Sequence, residues 1–314
     1  MTYRADIQIL RAFAVIMVLF YHLQFVGFKN GFLGVDIFFV LSGYLMAMLY
    51  DKSSTKIFYI NRFKRIFPAY ILTIGLTTFV VALIASPADF SQRFDRVWFD
   101  LFGLSNFAFW LEDSYFDYQN FKPLLNIWSL GVEIQYYLIA PLILPFLRKK
   151  KIYLVITIII FISLTLWVST FSTKTSFFLT PFRIWEFLIG AYIAWHTKND
   201  GNNNKIIITT ISIMCLVLLF IFFPISTISS SIYYGHPGIA SIFTIFLIAI
   251  ILKYPIPHKI ISDKNIINNF LIKIGDYSYS IYLVHFPIIV IFNYAPFEGT
   301  NLKITNNYIL SLTI

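Results

Sequence analysis

Residues 3–50, YRADIQILRAFAVIMVLFYHLQFVGFKNGFLGVDIFFVLSGYLMAMLY, decide the fold. Two apolar runs, near 7–26 and 33–50, are separated by one short polar break. Each approaches the ~20 residues a helix needs to cross a bilayer. The pattern recurs near 67–86, 127–147, 152–171, 177–196, 206–224, 238–252 and 275–294, and a tenth run begins near 304. Only 11 residues remain from that point. They make ~16 Å of helix, about half a bilayer, so the native protein is expected to continue past this sequence. With 58% hydrophobic and 12% charged residues over 314 positions, the chain carries more apolar sequence than a soluble core absorbs. The expected fold is all-α: a polytopic membrane helix bundle of about ten transmembrane spans, the tenth incomplete, in one domain over residues 1–314.

The net charge of +9 would suggest nucleic acid in a soluble protein, but here the Lys and Arg residues sit mostly in breaks between apolar runs. Cytoplasmic segments retain such residues, so they set orientation and no nucleic-acid partner is expected. With the N-terminus cytoplasmic, sixteen basic residues fall inside, among them Arg62, Lys64 and Arg65 and the run Arg148 to Lys151. Six fall outside: Lys29, Arg93, Arg96, Lys122, Lys174 and Lys303. The N-terminal segment lacks a small-residue cleavage site and is read as a retained first span. The stretch RFDRVWFDLFGLSNFAFWL (93–111) has Phe94, Trp98, Leu101 and Phe102 on one helical face and is expected to lie along the outer surface as an interfacial helix.

Cys215 is the single cysteine and lies in an apolar run, so an internal disulfide is excluded and a thiolate metal site has no support. No Walker motif, zinc-binding helix or nucleophile elbow occurs, and no bound cofactor or metal is expected. Gly31, Gly34 and Gly43 are too widely spaced for a dinucleotide fingerprint and are read as sites of close helix approach.

Ionisable residues inside spans cost ~2.5–3.5 kcal/mol each on insertion scales, so they tend to face the bundle interior and mark a working site. Arg11 and His22 are eleven positions apart in the first run, ~16 Å along one helix and within about 20° of one face. Asp36, Glu133, Arg183 and Glu186 fall at the outer depth of their runs, and these groups are expected to meet His22 in one polar cavity. An imidazole beside a carboxylate suits proton removal from a hydroxyl. Which carboxylate serves is open, and a structural pairing of Glu133 with Arg183 is the rival reading. An interfacial histidine bonded to a loop is the rival for His22, and Arg11 alone would snorkel to phosphates. His285, among aromatics in YSIYLVHFPIIV, reads by itself as a packing residue. Arg62 and Arg65, just before Pro68 opens the third span, share a helical face suited to phosphate, with positive-inside anchoring as the alternative.

Six blocks in order then give the chain a familiar outline: YRADIQILRAFAVIMVLFYH, GFLGVDIFFVLSGYLM, FYINRFKRIFPAYI, YFDYQNFKPLLNIWSLGVEIQYYLIAPLIL, FRIWEFLIGAYIA and IGDYSYSIYLVHFPIIV. The chain resembles the acyltransferase-3 family of membrane O-acyltransferases, in particular the branch that acetylates O-antigen and peptidoglycan sugars. The resemblance covers nearly the whole chain. It implies a multi-pass protein of the bacterial inner membrane that moves an acyl group, usually acetyl, from cytoplasmic acyl-CoA to a hydroxyl of a cell-envelope glycan. The implied acceptor is O-antigen of lipopolysaccharide, peptidoglycan or exopolysaccharide, presented as glycan or as a lipid-linked sugar in contact with membrane lipid.

By the same resemblance, Arg11 and His22 match the required first-span pair, Arg62 and Arg65 the acyl-CoA-binding arginines, and Glu133 the family glutamate. With Asp36 they form the candidate catalytic and binding set, and Arg183, Glu186, Tyr279 and His285 are supporting candidates. Two departures stand out. The family's PLLH reads Pro123, Leu124, Leu125 and Asn126, and its paired glutamate reads Glu133 followed by Ile134. Relatives with these blocks often continue into a C-terminal SGNH-type domain, and none is expected within residues 1–314. The implied mechanism has His22 activating the acceptor hydroxyl or taking the acyl group itself. A glycan-precursor transporter or flippase, and a non-catalytic membrane sensor or scaffold, are the alternatives.

Overall fold

The computed structural model describes residues 4–50, 54–112, 121–196, 204–222, 236–255, 266–295 and 299–300. Among them the chain is helical apart from turns and a two-residue antiparallel pairing of Tyr294–Ala295 with Gly299–Thr300. The helices are α1 (Ala5–His22), α2 (Gly34–Tyr50), α3 (Thr55–Ile84), α4 (Pro87–Leu101), α5 (Ser105–Leu111), α6 (Trp128–Lys149), α7 (Lys151–Ser169), α8 (Thr173–Phe178), α9 (Ile184–His196), α10 (Asn204–Phe222), α11 (Ile239–Lys253) and α12 (Ile266–Phe292).

Six segments, those of α1, α2, α3, α6, α7 and α12, are long and apolar enough to cross a membrane. They correspond to six of the nine full-length spans expected. Those expected at 206–224 and 238–252 are the shorter apolar helices Ile207–Phe222 and Ile239–Lys253. The span expected at 177–196 is broken into α8, a 3₁₀ turn at Thr180–Phe182 and α9. Pro181 opens that break by denying the helix a backbone N–H. The tenth span lies outside the described residues.

Two other boundaries differ from expectation. Helix α3 begins at Thr55, capped by Ser54, and runs unbroken through Pro68, so Arg62 and Arg65 sit on the membrane helix itself rather than before it. The interfacial segment divides at Gly103, whose φ of +68° ends α4. In α4, Phe94 and Trp98 remain exposed, as a helix facing lipid headgroups requires. In α5, by contrast, Ser105, Asn106, Ala108 and Phe109 are buried against the bundle, so this half enters the core instead of lying on the surface.

Helix α2 is the hub, with 72% of its membrane-length window buried, whereas α7 buries only 22% and turns Ile152, Ile156, Ile159 and Ile160 outward. An apolar rim of that extent is stable against lipid and not against water. Glycines set the closest helix approaches. A Cβ on Gly43 would lie 2.0 Å from the Phe187 carbonyl, one on Gly190 2.1 Å from that of Val40, and one on Gly275 2.0 Å from that of Gln8. Hence α2 seats on α9 and α1 seats on α12 nearly backbone to backbone.

Candidate active site

Helices α1, α2, α3, α6 and α12 surround one pocket. Each helix gives one stripe. Helix α2 presents Val35, Phe38, Phe39, Ser42, Leu45 and Met46 from one helical face, with Leu41 at its edge. Helix α6 presents Ser129, Glu133 and Tyr137 at four-residue intervals, and α12 presents Ser278, Tyr279 and Tyr282. Arg11 comes from α1, and Arg62, Arg65 and Ile66 come from α3. Arg65 is exposed and Arg62 half-buried, which places the cationic side of the pocket at its mouth.

Three guanidinium groups therefore share one pocket with a single carboxylate. Glu133 accepts hydrogen bonds from Ser42 and Tyr137. Arg62 Nε and Ser278 Oγ are buried without a hydrogen-bond partner among the described residues. Buried donors are nearly always satisfied, so a pocket that leaves two open has the character of a binding site for a polar, anionic molecule. Tyr279 donates to the Ile66 carbonyl at 2.8 Å and ties α12 to α3 beside the arginines.

His22 does not line this pocket. Its Nδ1 lies 3.0 Å from Nε2 of His285, and its ring packs on Phe286 at 4.7 Å. Tyr282 connects the two places: it lines the pocket, and its ring centre is 5.4 Å from that of His285. Its hydroxyl pairs with Ser129 at 2.7 Å and donates to the Asn126 carbonyl at 3.0 Å. Pro287 has no N–H for the Leu283 carbonyl four residues earlier. Asn126 Nδ2 takes up part of that role, donating to the carbonyls of Tyr282 at 2.6 Å and Leu283 at 3.4 Å. Asn126, standing where the resemblance expects histidine, thus braces α12 one turn before His285.

The remaining candidates form a third group. Arg183, at the break before α9, donates to Asp36 at 2.5 Å and lies 3.1 Å from Glu186, and all three side chains are fully buried. His236, in the short turn leading to α11, bonds Asp36 at 2.9 Å. Burial pushes the His236 imidazole below the ordinary histidine range, while Asp36 pulls it the other way. This cluster pins α2, α9 and the approach to α11 at one point.

The expectation of a single cavity is therefore corrected. Helix rotation separates these residues. Asp36 and Ser42 are six positions apart on α2, about 120° around the helix, so one enters the ion cluster and the other the pocket. Arg183 pairs with Asp36 and Glu186, not with Glu133. His285 is not only a packing residue, since its imidazole meets that of His22. Sequence reading missed Ser42, Ser129, Tyr137, Tyr282 and His236. For Tyr137 a signal existed, its place four residues after Glu133 on the same face.

Comparison with known proteins gives the chain its family. The family model described as an acyltransferase domain matches residues 4–312. A protein of Staphylococcus aureus strain MSSA476, provisionally named an O-acetyltransferase, is 34% identical over 313 residues. The O-acetyltransferase OatA of S. aureus strain NCTC 8325 is 33% identical over 315 residues. Each alignment covers 92% of this chain and 51% of the relative, so the chain spans about half the length of the curated relatives it matches. No solved structure is significantly similar to it. With a family match over nearly its whole length and apolar helices throughout, this multi-pass membrane chain belongs to the acyltransferase-3 family.

Proposed function

We propose that the chain is a membrane O-acetyltransferase domain that takes an acyl group from cytoplasmic acyl-CoA and delivers it to a hydroxyl of a cell-envelope glycan. The observation that carries this reading is the joint placement of Arg11, Arg62 and Arg65 around one largely apolar pocket that Tyr282 also lines. Acyl-CoA has a matching division of character, with anionic phosphates at one end and an apolar acyl-pantetheine arm at the other. The phosphates sit at the mouth against Arg62 and Arg65, where guanidinium groups give charge-assisted hydrogen bonds. The thioester passes Arg11 and reaches the Tyr282 end, beside the paired imidazoles of His22 and His285.

His22 then removes the proton from the acceptor hydroxyl as its oxygen attacks the thioester carbonyl. The new C–O bond forms as the C–S bond breaks, and the proton passes to the departing thiolate to give free CoA. Glu133 balances one of the three arginines and holds Ser42 and Tyr137 in the pocket wall. Asp36, Arg183, Glu186 and His236 keep α2 in place and do not touch the substrate. In this reading the N-terminus and the arginine mouth face the cytoplasm of a bacterial inner membrane, the bundle completes about ten spans, and the acceptor is O-antigen, peptidoglycan or exopolysaccharide.

The test is NMR of envelope polysaccharide from cells with and without the gene. O-acetyl signals that vanish on deletion and return with the wild-type gene support the reading. An unchanged O-acetyl spectrum refutes it.

A further inference from the structure

Two imidazoles in direct contact must divide their hydrogens, and here the surroundings dictate how. Nδ1 of His285 lies 2.7 Å from the Tyr282 carbonyl and 3.2 Å from the Ile281 carbonyl. A carbonyl oxygen only accepts, so His285 Nδ1 carries a hydrogen. In a neutral ring the other nitrogen is then a lone pair, which makes His285 Nε2 an acceptor. The group facing it at 3.0 Å is His22 Nδ1, which must donate. His22 Nε2 is left as the lone pair, with no hydrogen-bond partner among the described residues.

A charged alternative, with His285 doubly protonated and donating both ways, would bury a cation with no carboxylate to pair it. His285 is only 5% exposed. No carboxylate is among its contacts, and the carboxylates described above are engaged elsewhere, Asp36 by Arg183 and His236, and Glu133 by Ser42 and Tyr137. Burying an unpaired charge is far more costly than fixing a tautomer.

We infer that His285 is a positioning residue that fixes the tautomer of His22 and turns its Nε2 into the proton acceptor. In many hydrolytic sites a carboxylate holds the working imidazole by its Nδ1–H. Here a backbone carbonyl does so through a second imidazole, so the relay runs Tyr282 carbonyl, His285, His22. Asn126 supports it from the far side by donating to that same Tyr282 carbonyl. The tautomer follows from the geometry and from the neutrality of the buried His285 ring, and its catalytic consequence rests on the acyl-transfer reading above.

The test is ¹⁵N NMR of the full chain in lipid bilayers with labelled histidine, the five histidines being assigned by substitution. The expected result is hydrogen on Nδ1 and a bare Nε2 in His22, with a coupling across the hydrogen bond from His22 Nδ1 to His285 Nε2. Hydrogen on Nε2 of His22, or two protonated rings, overturns the proposal whatever the enzyme does. For the catalytic consequence, His285→Gln keeps an acceptor and is expected to retain transfer within about tenfold, whereas His285→Leu loses about 100-fold or more with KM for acetyl-CoA unchanged. Equal transfer by the Leu and Gln variants, with the wild-type tautomer as stated, removes the catalytic role and leaves the geometry standing.

Discussion

Arg183 meets Asp36 at 2.5 Å with both side chains fully buried, so the turn that interrupts the sixth apolar segment is fixed to the hub helix α2 by an ion pair away from the pocket. Breaking a buried pair by removing one partner leaves an uncompensated charge and costs ~3–5 kcal/mol. Arg183→Leu should therefore destabilise the protein strongly, as read by thermal unfolding in detergent. Asp36→Asn should do the same. A variant that keeps its unfolding temperature and loses transfer would instead place Asp36 in the chemistry.

The same cluster predicts a pH dependence. His236 is held below its unfolded value of 6.5 by burial, so the unfolded chain takes up a proton more readily than the folded one. Its contribution to stability is complete above about pH 6.5 and is lost as pH falls below that. Thermal unfolding between pH 7.5 and 5 should show a steeper acid-side decline in wild type than in His236→Gln. Parallel curves would show that His236 does not titrate on folding.

At the pocket mouth, half-buried Arg62 should matter more than exposed Arg65. Hydrogen bonds to charged groups contribute ~1.5–3 kcal/mol, so Arg62→Ala is expected to weaken acetyl-CoA binding by about 10- to 100-fold. Arg65→Ala should cost less, with a loss that shrinks as salt is raised. Titration calorimetry in nanodiscs at two ionic strengths checks both.

Tyr282 stands between the pocket and His285, so added bulk there should obstruct the acyl arm while leaving the mouth free. Tyr282→Trp is expected to bind CoA normally and to transfer acetyl at least ~10-fold more slowly. Parallel loss of CoA affinity and transfer would mean that the residue shapes the whole pocket.

How much of this was legible in the sequence follows from what hydropathy measures. Runs such as 33–50 and 152–171 announced α2 and α7 because their length and apolarity match a bilayer. Hydropathy foreshortens helix α3 because Arg62, Lys64 and Arg65 lower the local average although they are helical. The broken segment before α9 reads as one span because Thr180 and Pro181 are too few to interrupt a hydropathy window. The candidate site was legible residue by residue but not in its grouping. Which groups meet depends on helix rotation and on glycine-set approaches such as Gly43 against Phe187, and single-chain periodicity does not specify which neighbour a face will meet.

In the proposed reaction acyl-CoA enters from the arginine mouth and is used at His22. The most direct measurement is acetyl transfer from labelled acetyl-CoA to envelope glycan by His22→Ala, run beside CoA binding by the same protein. The expected result is normal folding and CoA affinity with transfer abolished. Near-normal transfer by His22→Ala would contradict it.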